Sequence, residues 1–190
     1  MTTIEKTVSN RFLEEYNNKT DINEHLPVLH DYAKKCNHVT EMGVRGVVSS
    51  YAFILAKPKT MVSIDIKHPK EFGAESRLKE IEDFAKHSKI NFRFLLGDTL
   101  NIQINKTDLL FIDTLHTYNQ MKSELKLHAP NVSKYLIFHD TVTYRFIDEI
   151  TKNKGGIWPA IDEFLKANIN WNIDKVFTNN NGLTILKRNK

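Results

Sequence analysis

Apolar positions in this chain switch between helical and strand spacing, and the switches mark out its elements. Residues 1 to 20 are polar and read as a helix or a mobile arm. Asp21 or Asn23 is placed to cap a helix through Lys35, with Leu26, Leu29, Tyr32 and Ala33 on one face. Val39 to Met42 form a short strand that breaks into a glycine turn, Gly43 to Gly46, and then a helix carrying Val47, Val48, Tyr51, Ala52, Ile54 and Leu55. That helix is apolar nearly all round, which predicts deep packing, and Pro58 stops it. Thr60 to Ile66 is a second strand with Asp65 at its carboxyl end. A charged helix from Glu71 to His87 follows, with Leu78, Ile81, Phe84 and Ala85 aligned.

Asn91 to Leu96 is a third strand, closed by Gly97 and Asp98. Asp108 to Asp113 is a fourth, whose apolar run LLFI suits a central strand buried on both faces. A helix from Tyr118 to Ala129 carries Tyr118, Met121 and Leu125, and Lys134 to His139 is the fifth strand. Trp158, Ile161, Phe164 and Leu165 mark a last helix. Asn172 to Phe177 and Leu183 to Lys187 are strands joined by TNNNG, a hairpin signal because Asn and Gly tolerate positive φ. Strands alternating with helices imply an α/β fold with a mostly parallel sheet of seven strands, and the closing hairpin makes one edge strand antiparallel.

Composition adds limits. With 190 residues, 41% apolar and 26% charged, the chain reads as one globular domain with a well-buried core: an N-terminal helical arm or lid over 1–36 and a body over 37–190. No apolar run approaches the ~20 residues that span a bilayer, and the N-terminus lacks a signal-peptide core. The lone Cys36 makes no internal disulfide, which fits a reducing compartment, so the expected location is cytoplasmic. The net charge of +4 sits in scattered lysines and in Lys187, Arg188 and Lys190. With no dense basic stripe, charge argues against a nucleic-acid partner.

The candidate chemistry lies at the carboxyl ends of the strands, where an open parallel sheet binds its ligand. Asp65, Asp98, Asp113 and Asp140 stand at or beside four strand ends, and Glu41 precedes the glycine turn on the first. Gly43 and Gly46 supply only the last two glycines of a dinucleotide fingerprint. Glu41 occupies the place of the first, where a carboxylate would repel a pyrophosphate and suit a cationic ligand. Asp65, about 20 residues beyond Gly43, is at the offset of an acid that accepts ribose hydroxyls. Asp98 is placed to receive a base through its exocyclic amine.

On these residues the chain resembles the class I S-adenosylmethionine (AdoMet)-dependent methyltransferases over roughly residues 35 to 188. The resemblance implies the three-layer Rossmann-like methyltransferase fold. It also implies AdoMet as cofactor, bound by Glu41, Gly43, Arg45, Gly46, Asp65, Asp98, Thr99 and Asp113. The family commonly has glycine where this chain has Val47. FIDTLHTY (Phe111 to Tyr118) and IFHDT (Ile137 to Thr141) are similar to segments of the small metal-dependent O-methyltransferases related to macrocin O-methyltransferase and the cephalosporin hydroxylase-like proteins. That similarity implies a divalent metal, magnesium or manganese, held by Asp113, His139 and Asp140, with His116 and Asp113 as catalytic groups and His116 as general base. His139 stands where the relatives have an acid, which points toward a softer metal.

The implied reaction is methyl transfer to a hydroxyl of a small acceptor such as a sugar or polyol, with no membrane partner. A homo-oligomer is left open. The competing readings are an AdoMet-binding protein without turnover and a nucleic-acid methyltransferase. The latter lacks the N/D-P-P-Y/F tetrapeptide, since Asp113-Thr-Leu-His116 occupies its place. His116 alternatively caps the helix that follows it, and Arg45 meets either a methionine carboxylate or solvent. Tyr118, Tyr144 and Trp158 line an acceptor pocket or join the core. His25, His30, His38, His68, His87 and His128 show no partner pattern and read as surface residues.

Overall fold

The computed structural model describes residues 2–189, with Met1 and Lys190 of the N-terminal arm and basic tail lying outside them. In chain order its elements are α1 (Thr3–Asn17), α2 (Leu26–Ala33), β1 (His38–Met42), α3 (Val48–Leu55), β2 (Thr60–Asp65), α4 (Glu75–Ser88), β3 (Asn91–Leu96), β4 (Thr107–Ile112), α5 (Tyr118–His128), β5 (Val132–His139), α6 (Trp158–Ala167), β6 (Trp171–Phe177) and β7 (Leu183–Arg188). The seven strands form one sheet in the order β3-β2-β1-β4-β5-β7-β6. β1 to β5 are parallel, and β7 runs antiparallel to both of its neighbours.

Helices cover both faces, so the central strands must be apolar on both sides. β4 meets this with Leu109 and Phe111 facing one core, and Leu110 and Ile112 facing the other. The first core gathers α1, α2, α3 and α4 around Phe53, Phe84 and Phe111. The second gathers α5 and α6 around Met121, Leu125, Ile161 and Phe138. α3 is as deeply packed as its composition predicts, with six of its residues buried. α1 begins with a capping box in which Thr2 and Glu5 satisfy each other's backbone N–H groups. It packs on the first core through Val8, and it pairs Arg11 with Glu80 and Glu15 with Arg77 of α4.

Two expectations change. The reversed strand is not at the edge: β7 inserts between β5 and β6, because a hairpin returning inward pairs its buried strand, Leu183 to Leu186, with β5 and leaves the mostly exposed β6 outside. The helix expected from Glu71 starts at Glu75. Pro69–Phe72 form a tight 3₁₀ turn, and Gly73 follows in the left-handed conformation at φ +67°.

Candidate active site

The parallel strands β1 to β5 bring the candidate groups to one end of the sheet. The turn after β1 is shaped by its contact with the turn after β4. A Cβ on Gly43 would lie 1.9 Å from the Asp113 carbonyl oxygen, and Gly43 has φ +85°, so both sterics and conformation require glycine. Gly46 is different: a Cβ there would meet only the Val48 side chain, at 3.9 Å. Packing does not demand glycine at that position, and its bareness leaves room for a ligand. Arg45 and Val47 adopt left-handed φ of 44° and 65°. Val47 therefore holds a conformation suited to glycine at the place where the resembling family has one. The Gly46 carbonyl accepts a hydrogen bond from Arg77, which is also paired to buried Glu15 at 2.7 Å.

The acids on this side are engaged within the protein. Glu41 is fully buried and accepts hydrogen bonds from Ser49, Ser50 and Ser63 at 2.5, 2.7 and 2.7 Å. Burial pushes its carboxyl up to about 7 despite those donors. Asp65 Oδ2 accepts the backbone N–H groups of Val44 and Arg45 at 2.7 and 2.9 Å, and Oδ1 accepts that of Lys67. The turn's N–H groups thus point at Asp65. Arg45 sends its side chain into solvent, 3.7 Å from Asp21. Asp98 accepts from Leu100 and Asn101, and Thr99 donates to buried Glu124, which Thr114 and Gln120 also bond.

The reacting end is built by the turns after β4 and β5. Asp113, His139 and Asp140 present three candidate ligand atoms within 4.8 Å of one another. His139 Nδ1 is 3.4 Å from Asp113 Oδ1 and 3.5 Å from Asp140 Oδ1. His116 Nε2 lies beside this group, 3.3 Å from Asp113 Oδ1 and 3.3 Å from the other Asp140 oxygen, Oδ2. Asp140 holds φ +58°, a costly conformation for a residue with a Cβ. His116 Nε2, His139 Nδ1 and Asp140 Oδ1 are buried with no hydrogen-bond partner among the described residues. Such orphans cost free energy unless something fills the space between them.

Burial would raise the Asp113 carboxyl, but positive charge on His139 and His116 outweighs it and holds the group well below the usual carboxylate range. Burial would lower His139, and Asp113 and Asp140 overcome that, lifting it to about 9. His116 is raised on the same balance, burial against Asp113, Asp140 and Glu149. For Asp140 burial prevails over the two histidines and its pKa rises.

Several contacts of this region carry no sequence signal. Glu149 Oε2 accepts both the backbone N–H and Nδ1 of His116 at 2.9 Å, and Tyr144 stacks on the same ring with centroids 4.8 Å apart. His139 Nε2 faces the backbone carbonyls of Asp21 and Asn180 at 3.0 and 3.2 Å. Glu149 lies in a loop without periodicity; Tyr144 has a reading as a pocket or core residue and Asn180 as part of the TNNNG turn, but only the fold brings all three to these histidines. The three serines around Glu41 were partly legible, since an acid inside an apolar strand must be met by buried donors. Two surface assignments are corrected. His25 and His128 are both fully buried, each bonding backbone carbonyls, of Asn179 and Asn180 and of Thr99 respectively.

A cleft of about 780 Å³ joins the glycine turn to this cluster, lined among others by Gly46, Asp21, Asp113, His116, Asp140 and Glu149. Glu41, Asp65, Asp98 and Thr99 do not line it. No family model and no curated protein matches the chain. Solved structures do match in shape. A protein from Corynebacterium glutamicum aligns with TM-score 0.66 at 14% identity, covering 100% of this chain and 91% of that one. The O-methyltransferase of Bacillus cereus, in complex with S-adenosylhomocysteine, aligns with TM-score 0.62 at 12% identity over 99% and 91%. The O-methyltransferase TomG of Streptomyces achromogenes, involved in tomaymycin synthesis and in complex with AdoMet, gives 0.59 at 13% over 100% and 91%. At these identities the likeness establishes the fold, the Rossmann-like fold of the methyltransferases.

Proposed function

We propose that this chain, which has the fold of the class I methyltransferases, is an AdoMet-dependent O-methyltransferase that methylates a hydroxyl of a small molecule of sugar or polyol type with the help of a divalent metal. The observation that carries the reading is the grouping of Asp113, His139 and Asp140, with His116 3.3 Å from both carboxylates, at the end of the cleft that begins at the glycine turn. The AdoMet and S-adenosylhomocysteine complexes of the structural neighbours support the choice of cofactor. The bare Gly46 and a cleft of ordinary ligand size support its accommodation.

AdoMet supplies a methyl group on a sulfonium, and the chain's task is to align an acceptor oxygen behind it and remove the acceptor's proton. The orphaned atoms of His139 and Asp140, with ionised Asp113 beside them, fit a divalent ion. When bound, such an ion lowers the pKa of a hydroxyl that it touches. Proton removal falls to groups lining the cleft, of which Asp21, His116 and Glu149 stand outside that trio and His116 is nearest to it. Glu149 accepts the Nδ1–H of His116, so the proton that His116 gains or gives up is the one on Nε2, which faces the carboxylates.

Calorimetric titration of AdoMet, and separately of NAD, into chelator-treated protein tests the cofactor. Micromolar AdoMet binding that Asp65→Ala weakens supports the reading, and a screen of sugars and polyols with Mg²⁺ or Mn²⁺ added back then tests turnover. No AdoMet heat under any metal condition would sink it. One observation favours a second reading, a cofactor-binding protein without transfer: Asp65 already accepts three backbone N–H groups. AdoMet affinity with no turnover on any acceptor would favour that alternative.

A further inference from the structure

We infer that Arg77 of α4, anchored by buried Glu15 of α1, is a positioning residue that sets the glycine turn for the cofactor, so that the N-terminal helix serves the site from outside the cleft. The inference rests on the AdoMet reading above and is independent of the metal.

The turn has a reason to need holding. Arg45 and Val47, on either side of Gly46, have left-handed φ of 44° and 65°, a conformation unfavourable for residues with a Cβ. Two hydrogen bonds hold the peptide between Gly46 and Val47. Its N–H donates to the Val44 carbonyl at 2.8 Å, and its carbonyl accepts from Arg77 Nη1 at 3.0 Å. The N–H and C=O of a trans peptide point in opposite directions, so these two bonds fix its plane. Helix α3 starts at the next residue, Val48, and Gly46, Val48 and Ser49 all line the cleft. Turning this one peptide would therefore re-aim the wall that the cofactor rests on.

Arg77 and Glu15 do not line the cleft themselves. Glu15 is 4% exposed, and among the described residues its charge partner is Arg77 Nη2, at 2.7 Å. A buried ion pair adds little net stability, because desolvation offsets most of the attraction. The docking of α1 has other contacts: Val8 packs in the core, and Arg11, one turn earlier, pairs with Glu80 at 3.2 Å. What the Glu15–Arg77 pair supplies is direction. A guanidinium is a rigid planar fork, so holding Nη2 on Glu15 aims Nη1 at the Gly46 carbonyl.

Calorimetric titration of AdoMet, and amide hydrogen exchange of the ligand-free protein, test the inference on wild type, Arg77→Ala, Arg77→Lys, Glu15→Ala and the double alanine variant. We expect Arg77→Ala to weaken AdoMet binding at least tenfold and to speed exchange across residues 44–49, with β4 changed far less. Arg77→Lys, whose single ammonium lacks the fork, should stay closer to Arg77→Ala than to wild type. Glu15→Ala should weaken AdoMet binding too, and the double variant should bind no more weakly than Arg77→Ala, because the two residues act as one unit. Far-UV circular dichroism checks folding; if Arg77→Ala does not fold, Arg77→Lys decides. Wild-type affinity in a folded Arg77 variant, additive losses in the double variant, or exchange in β4 speeded as much as in the turn would each overturn the inference. Exchange needs no ligand and so separates the two claims. AdoMet heat that Arg77→Ala leaves intact rejects the positioning role and leaves the cofactor standing. Faster exchange at the turn in Arg77→Ala, beside a wild type that gives no AdoMet heat, rejects the cofactor and leaves the hold on the turn.

Discussion

Glu41 shows how one side chain can set a pH response. Its pKa in the fold is about 7, with burial the largest cause, against an ordinary value of 4.5. Between those values the folded chain holds a proton that the unfolded chain has released, so this group's contribution is most favourable below about pH 4.5 and is lost as pH rises through 7. The full difference is roughly 3 kcal/mol. Urea midpoints measured at about pH 5 and about pH 8 should show wild type losing roughly 2–3 kcal/mol relative to Glu41→Gln across that interval. Val47 provides a second test. Its side chain is fully buried, yet its φ of 65° penalises any residue with a Cβ. Val47→Gly should therefore cost less than Val47→Ala, by about 1 kcal/mol, although it removes more atoms. Equal or reversed costs in urea unfolding would show that the turn relaxes out of the left-handed conformation.

At the level of elements, the exits of β1 and β4 are locked together. Gly43→Ala would drive a Cβ into the Asp113 carbonyl and separate the two strand ends that carry the site. We expect a loss of at least about 3 kcal/mol in stability and of metal binding together, read by chemical unfolding and by calorimetric titration of Mn²⁺. The strands themselves were legible within a residue or two, because a both-faces-buried strand such as β4 must be an apolar run and a hairpin through Asn and Gly has few alternatives. The place of β7 was not, since strand order is set by which side of the hairpin can be buried against β5, a tertiary fact. The rim acids were legible for a topological reason: in a parallel sheet every strand end faces the same way, so Asp65, Asp113 and Asp140 had to share an edge. What they do there was less so. Periodicity could not show that Asp65 is occupied by the glycine turn's own N–H groups, or that Glu149 backs His116, because both depend on loop paths.

For the whole molecule, the centre should act as a staple. An ion present at about 100 times its Kd stabilises the native state by about 2.7 kcal/mol, which for a chain of this size raises Tm by roughly 5–10 °C. Mn²⁺ should produce that rise in chelator-treated protein and none in Asp113→Ala, as followed by thermal unfolding. Among the described residues no helix is long and apolar enough to cross a membrane. The staple also joins distant parts of the chain. His139 is held by the carbonyl of Asp21, near one end, and by that of Asn180, near the other. Asn180 also bonds Thr20 and Asn23 through its side chain. On the ribosome, then, β5 and its histidine emerge before the hairpin that will flank them. At ordinary synthesis rates that leaves an open sheet edge for roughly two to nine seconds. A nascent or truncated chain lacking β7 has neither a closed sheet nor an oriented His139. Metal capture would thus report that the hairpin has docked on β5, making the ion a marker of a closed sheet as well as a reagent.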